Sequence, residues 1–379
     1  VDRPNQVCDS ANSTTKLHNE TALKDSHPTT YEWLDFMKPL HGDFPRILEE
    51  EDDDGNENNM RTRIHTAVCV IKDTANLPHF PHVMQRFLPC WSLWEHLPKN
   101  VTRIMLFAKG WKRYDFQLKA SFNQGLFQLM KSQNISIVDS PNIDAYIRSH
   151  NDSGTLFVER LKPNNNEARG AKDIQSLKRV TVDWMELRKN QTQSCLSVEV
   201  GSSGGGGGDN MAKPFPRIGI INRHGPRKLL DSSRISVALQ LHFGLPYKPP
   251  VFYFEEFTFE QQVEAMASVD VLLSPHGAQL TGVVFMPRCG SVIEVLPHGY
   301  GRPAFFGTLA ALSGLGHSYI YIGRNMTAET AKWSQRRKMR DFARGQDVCV
   351  SQDNIMRMVE VELGSWKQCC GVVAMNDDR

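Results

Sequence analysis

Two arginines, Arg223 and Arg227, stand four residues apart directly after the apolar run Ile218-Gly219-Ile220-Ile221, in the stretch Asn222-Arg223-His224-Gly225-Pro226-Arg227. A guanidinium carries planar, paired donors that match two oxygens of one phosphate group. Two such forks at the end of a strand are suited to the negative charge that gathers on a departing diphosphate, and they supply it without a metal ion. The competing explanation is a hydrated pair on a surface turn.

A second cluster lies at residues 271–281, where Val271-Leu272-Leu273 runs into Ser274, Pro275, His276, Gly277, Ala278 and Gln279 and then into a helical segment. Gly277 and Ala278 leave room for a ligand at backbone N–H groups, and the start of a helix carries partial positive charge suited to phosphate. His276 can donate to a phosphate oxygen or to a sugar. A simple strand-to-helix turn with a capping histidine reads equally well from shape alone. Glu294 sits in the apolar strand segment 291–296, where a carboxylate is costly to bury without partners. A ribose diol would satisfy it, as would an internal salt bridge to an arginine.

The elements that would position these residues follow an α/β rhythm. Short β-branched runs at 65–71, 103–107 and 135–138 read as strands, with helical segments at 82–94 and 122–131 between them. Further on, strands are expected at 218–221, 251–254, 271–273 and 291–296, with helices at 233–241, 259–268, 280–285 and 353–363. Strands that are apolar without alternation fit a parallel sheet covered by helices on both faces, where ligands sit beyond the carboxyl ends of the strands. The expected division is a flank at 1–60 that includes an acidic run, a first α/β domain at 61–200, a Gly-rich linker or loop at 201–210, a Rossmann-like domain at 211–345, and a C-terminal helix and tail at 346–379. A chain of 379 residues exceeds what one core usually supports, so two lobes are expected.

A formal charge of +2, from 44 basic and 42 acidic residues spread along the chain, argues against a nucleic-acid partner. Seven Asn-x-Ser/Thr acceptors, at Asn12, Asn19, Asn100, Asn134, Asn151, Asn190 and Asn325, together with eight cysteines lacking any C-x-x-C pair, point to an oxidising compartment: the Golgi or endoplasmic reticulum lumen, or secretion. Cys369 and Cys370 are expected to pair with different partners. No apolar run approaches the ~20 residues of a membrane span. Membrane attachment is therefore expected only through an anchor ahead of Val1. No closely spaced acidic pair stands in an apolar context, so no metal site is expected.

The run Phe257-Thr258-Phe259-Glu260-Gln261-Gln262-Val263, the block Ser274 to Thr281, Phe285-Met286-Pro287-Arg288 and Val292-Ile293-Glu294-Val295, with Asn222-Arg223 and Arg227 upstream, resemble the signature of glycosyltransferase family 61. The nearest branches are its O-mannose-directed N-acetylglucosaminyltransferases and its plant xylosyl- and arabinosyltransferases. The resemblance implies an α/β protein of the GT-B type, with two Rossmann-like lobes facing a cleft and a last helix returning to the first lobe. It also implies an inverting, metal-independent transfer of GlcNAc, xylose or arabinose from a UDP-sugar to a hydroxyl of a glycan or glycoprotein, with no further cofactor. The donor set would be Asn222, Arg223, Arg227, Ser274, His276, Gly277, Ala278, Gln279 and Glu294. The base would come from the first lobe, where Asn76-Leu77-Pro78-His79-Phe80-Pro81-His82 matches more weakly. Relatives carry an acid within a few positions of the first of these histidines; this chain has His82, Val83 and Met84 instead, which makes His82 the candidate, with His79, Asp115 and Asp139 behind it.

Two other readings compete. One is a UDP- or glycan-binding protein of the same fold without turnover. The other is a secreted histidine acid phosphatase, whose motif Arg223-His224-Gly225-Pro226-Arg227 nearly spells; against it, Leu229 replaces the closing proline and no His-Asp pair follows.

Overall fold

The computed structural model describes residues 65–71, 100–108, 121–150, 155–159 and 215–370, the pair Leu17–His18, and single positions at Cys90, Trp91, Trp94, Leu97, Thr181 and Met185. These form two compact α/β units, each built on its own sheet.

The first unit contains strands β2 (Thr66–Ile71), β3 (Thr102–Ala108), β4 (Ile135–Ser140) and β5 (Thr155–Glu159), with helices α1 (Ser121–Ser132) and α2 (Ile143–His150). The strands are all parallel in the order β4-β3-β2-β5. Numbered within the unit this is 3-2-1-4, the order of a Rossmann half, whose strand order reverses between β2 and β5. Val68, Val70, Leu106 and Ile143 form a compact apolar cluster in this unit. A disulfide joins Cys69 on β2 to Cys90.

The second unit comprises the short strand β1 (Leu17–His18), β6 (Ile218–Asn222), α3 (Ser232–Phe243), β7 (Val251–Tyr253), α4 (Phe259–Ala267), β8 (Val271–Pro275), the 3-10 helix Ala278–Phe285, β9 (Ser291–Leu296), α5 (Pro303–Leu312), β10 (Gly316–Tyr321), α6 (Met326–Ser334), α7 (Arg337–Arg344) and α8 (Gln352–Cys369). The order is β1-β10-β9-β8-β6-β7, parallel except for β1 at one edge. Leaving β1 aside, the strands run 2-1-3-4-5 by their own numbering, the flavodoxin-like order. The connection reverses direction between β6 and β8, and that is where such sheets hold ligands.

Local chemistry explains these elements. Every residue of β6, β8 and β9 is buried, as uninterrupted apolar sequence between two helical layers requires. Arg217 and Asp270 pin the first residues of β6 and β8 together: the backbone N, Nε and Nη2 of Arg217 donate to the buried carboxylate at 2.9, 3.0 and 2.9 Å. Helix α3 stops at Gly244, whose φ of 60° falls in the left-handed region that glycine adopts at low cost. Ser351 caps α8 by accepting from the N–H of Asn354.

The helix expected to return to the first lobe buries Ile355, Met358, Val359 and Leu363 in the second unit's own core, against Leu273, Ile293 and Ile320. Truncating one of these buried aliphatics to Ala would cost about 2–5 kcal/mol. A disulfide from Cys289 to Cys369 fixes the end of α8, and Cys370 is bonded elsewhere, so the adjacent cysteines do pair separately. Sequence reading did not mark α2, β5, α5, β10, α6 or α7, and β10 proves to carry part of the site.

Candidate active site

The register of the second sheet brings the two clusters together. Ile218 lies opposite Val271 and Ile220 opposite Leu273, so β6 and β8 end at the same level. The loop of Arg223 and Arg227 and the loop of His276 therefore emerge side by side at the switch point. Arg227 joins them directly: its Nη1 donates to the backbone oxygen of His276 at 3.1 Å. Arg227 itself has φ of 68°, an uncommon conformation for a side-chain-bearing residue.

The electrostatics are one-sided. Burial, with repulsion from Arg223 and Arg344, pushes the Arg227 guanidinium down to about 10, against the attraction of Tyr300 and Glu294. Burial also lowers Arg223, offset by Glu255, whose Oε1 lies 3.9 Å from Arg223 Nε. Arg344, at the end of α7, lies over the Tyr300 ring at 5.5 Å. Among the described residues Arg223 Nε is buried without a hydrogen-bond partner, and no ion pair is formed by Arg227. Three arginines, offset by Glu255 and by the buried Glu294, leave surroundings that favour an anion.

Beneath the loops, Glu294 is fully buried. His276 Nδ1 and Glu294 Oε1 are hydrogen-bonded, and His317 Nε2 lies 2.9 Å from Glu294 Oε2. Burial pushes the Glu294 carboxyl up, but the charge and hydrogen bonds of the two histidines outweigh this and hold it below the usual carboxylate range. The His276 ring packs edge-to-face on Tyr300 at 5.2 Å and beside Phe306 of α5 at 5.4 Å.

The expected donor set therefore divides. Arg223, Arg227 and His276 converge, with Gly277 and Ala278 at the opening of the 3-10 helix. Asn222 does not face outward: its Nδ2 donates to Leu229 O at 2.9 Å and Ser232 Oγ at 2.8 Å, and its Oδ1 accepts from Leu229 N at 2.8 Å, so it staples the arginine loop. Ser274 is fully buried and donates to Pro275 O. Gln279 also donates to Pro275 O, closing the turn. The space left by the missing Cβ of Gly277 is taken by the Gln279 amide, because a Cβ there would lie 2.3 Å from its Oε1; the room expected for a ligand on that side is filled. Glu294 is not open to a ribose, since both its oxygens hold imidazoles. The alternative of a salt bridge had the right kind of partner but the wrong residue type.

His224, which a phosphatase would need as nucleophile, stacks on Tyr253 at 4.3 Å and pairs with Glu256 at 2.6 Å. His79, His82 and Asp115 lie outside the described residues; in sequence the histidines follow β2 and Asp115 follows β3. Asp139 is the penultimate residue of β4, at the carboxyl end of that strand, and its Oδ1 is buried without a hydrogen-bond partner among the described residues. Sequence reading missed His317, Tyr300, Arg344 and Glu255, none of which belongs to a local motif.

A parallel sheet whose switch point carries two buried arginines beside an imidazole is a doubly wound α/β fold with a cationic end. The family model described as "Glycosyltransferase 61" matches residues 80–293, more than half of the chain, and the chain belongs to that family of glycosyltransferases. The chain is 30% identical over 112 residues to human protein O-linked-mannose beta-1,4-N-acetylglucosaminyltransferase 2, covering 29% of this chain and 19% of that protein. It is 27% identical over 159 residues to the Bos taurus protein of the same name, covering 41% and 26%. To an alpha-1,3-arabinosyltransferase of Oryza sativa subsp. japonica it is 32% identical over 122 residues, covering 31% and 21%. The chain thus spans about a fifth to a quarter of the length of the curated relatives it matches. A solved family 9 glycosyl transferase from Veillonella parvula aligns over 79% of this chain and 97% of its own, at 12% identity and a TM-score of 0.35.

Proposed function

We propose that this glycosyltransferase moves a sugar from a UDP-sugar to a hydroxyl of a glycan or glycoprotein, with inversion and without a divalent metal. The diphosphate lies between the loops after β6 and β8, held by Arg223 and Arg227 with Arg344 adding charge. The observation that carries this reading is the pair of partly buried arginines, Arg223 and Arg227, meeting His276 at the switch point, a costly arrangement that a doubly charged diphosphate relieves. Donors fixed in place before the reaction need no reorganisation as charge develops on the leaving group.

The sugar is GlcNAc, xylose or arabinose; the first and last of these are the sugars in the relatives' names. His82 takes the acceptor proton, with His79, Asp115 and Asp139 as the alternatives. Its ordinary pKa of ~6.5 leaves it neutral and proton-accepting at lumenal pH. The disulfides support a Golgi, endoplasmic reticulum or secreted location.

Release of UDP from UDP-GlcNAc, UDP-xylose and UDP-arabinose, with and without hydroxyl acceptors and in excess chelator, tests the proposal. Turnover of one donor in chelator is expected. Turnover that vanishes in chelator and returns with manganese would overturn the metal-independent mechanism. UDP binding without turnover of any donor would leave a binding protein of the same fold.

A further inference from the structure

Arginines alone can hold a diphosphate, and they do not explain a fully buried carboxylate beneath their loops. Taking such an ion from water costs several kcal/mol even after relaxation, and an apolar side chain of similar volume would often be at least as stable. The register shows how the group was assembled. Ser274 lies opposite Glu294, and Glu294 opposite Tyr319, so the period of two sets His276, Glu294 and His317 on one face, the face that α5 covers.

Each ring nitrogen bonds a carboxylate oxygen directly, rather than the three side chains converging on a common centre, and among the described residues no group of His, Cys, Asp and Glu has the arrangement of a metal site. The His276 ring is bonded to Glu294 through Nδ1, which leaves Nε2 on the opposite side of the ring. The ring cannot swing away, because Tyr300 and Phe306 pack against it and its backbone N–H donates to Val295 O at 2.8 Å.

We infer that Glu294, backed by His317, is a positioning residue that fixes the His276 ring with Nδ1 turned inward and Nε2 facing the leaving diphosphate. This rests on the donor reading above. In the transfer, the bond from acceptor oxygen to anomeric carbon forms while the bond from that carbon to the phosphate oxygen breaks. The electron pair stays with the diphosphate, the acceptor proton goes to the base, and His276 Nε2 lies against the departing oxygen. His317 fills the second oxygen of Glu294 and so stops the carboxylate from rotating.

The charged and titratable groups around His276 come from every side: Glu294 on β9 and His317 on β10, Tyr300 after β9, Arg227 after β6, and Arg344 from α7 behind Tyr300.

The test is turnover of the preferred UDP-sugar from pH 5.5 to 9, with UDP affinity measured by calorimetry, for wild type, Glu294→Gln, His276→Asn and His276→Gln. In Glu294→Gln kcat should fall at least 10-fold, while UDP affinity changes no more than a few-fold. Asn places an amide where Nδ1 was, so His276→Asn keeps the bond to Glu294 and the melting temperature but should lose about 100-fold in kcat, the scale of one lost transition-state donor. Gln places its amide nearer Nε2, so His276→Gln should recover part of that loss. Wild-type kcat in Glu294→Gln would overturn the inference. Should that variant not fold, equal kcat in His276→Asn and wild type would overturn it alone. Failure of the wild type to bind UDP would instead refute the donor reading itself.

Discussion

Arg227 donates from Nη1 to the backbone oxygen of His276, tying the loop that follows β6 to the loop that follows β8 across 49 residues of sequence. That one bond joins two motifs that are separate in sequence. It also means that the charge of Arg227 and the placement of His276 are not independent.

Asn222 separates a scaffold role from a ligand role. Asn222→Ala removes three hydrogen bonds and leaves the Leu229 backbone groups unpaired in a buried setting. An unsatisfied buried group costs about 1–3 kcal/mol, so urea denaturation should show at least that loss, together with weaker UDP binding. Weaker binding at unchanged stability would make Asn222 a donor ligand instead of a staple.

The protonation of Arg227 sets an upper pH bound on donor binding. Its folded value is pushed down to about 10, below that of an unfolded arginine, so the cation is fully present at neutral pH and is lost as pH rises through about 10. Between that value and the higher range of an unfolded arginine the unfolded chain holds the extra proton, so this group's share of stability rises with pH over that window, and below it the charged group is a constant cost to the fold. UDP affinity should hold steady from pH 7 to 9 and fall near pH 10 while circular dichroism still reports a folded chain. A flat affinity through pH 10.5 would remove Arg227 from the diphosphate site.

The covalent features predict a mass pattern. Among the described residues no cysteine is free, so alkylation before reduction should leave Cys69, Cys90, Cys289, Cys349, Cys369 and Cys370 unlabelled. Removing Cys289–Cys369, whose partners are 80 residues apart, should cost more than removing Cys69–Cys90, 21 apart; in the chain-entropy model the values are about 4 and 3 kcal/mol. Asn100, Asn134 and Asn325 are exposed, as are Thr102, Ser136 and Thr327 two residues on, so deglycosylation should lower the mass. Asn325 Oδ1 caps α6 at Ala328 N, so Thr327→Ala removes the glycan while keeping the cap. Alkylatable thiols without reduction, and no mass change on deglycosylation, would place the chain in a reducing compartment.

How much of this was readable in the sequence depends on distance along the chain. The strands of the second sheet and the two loops that follow β6 and β8 announce themselves locally: apolar runs end in Asn222-Arg223 and in Ser274-Pro275-His276, and the family signature covers the same stretch. Glu294 also stood out, as an acid where none belongs. Its partners did not, because nothing in Gly316 to Tyr321 distinguishes His317 from any histidine in a strand, and only the register of β8, β9 and β10 brings it to Glu294. Arg344 was hidden for another reason. It ends a basic segment that reads as a solvated helix face, and only packing against Tyr300 sets it apart. Conversely, Asn222, Ser274 and Gln279 sit inside the signature, yet their polar atoms are spent on building the loops.

The base is tested on the first unit. His82→Gln should lower turnover about 100-fold or more while leaving UDP affinity intact, since general-base assistance is worth about 10²- to 10⁴-fold. Near-normal turnover would eliminate His82 and direct attention to Asp115 and to Asp139, whose Oδ1 is buried without a hydrogen-bond partner among the described residues.

The account stands most directly on the arginines as diphosphate ligands, and calorimetric titration of UDP into wild type and the Arg223→Ala/Arg227→Ala double variant measures that. Each lost charged hydrogen bond is worth about 1.5–3 kcal/mol, so the double variant should bind UDP at least 100-fold more weakly, with melting of the ligand-free chain little changed. Wild-type affinity in the double variant would contradict the account.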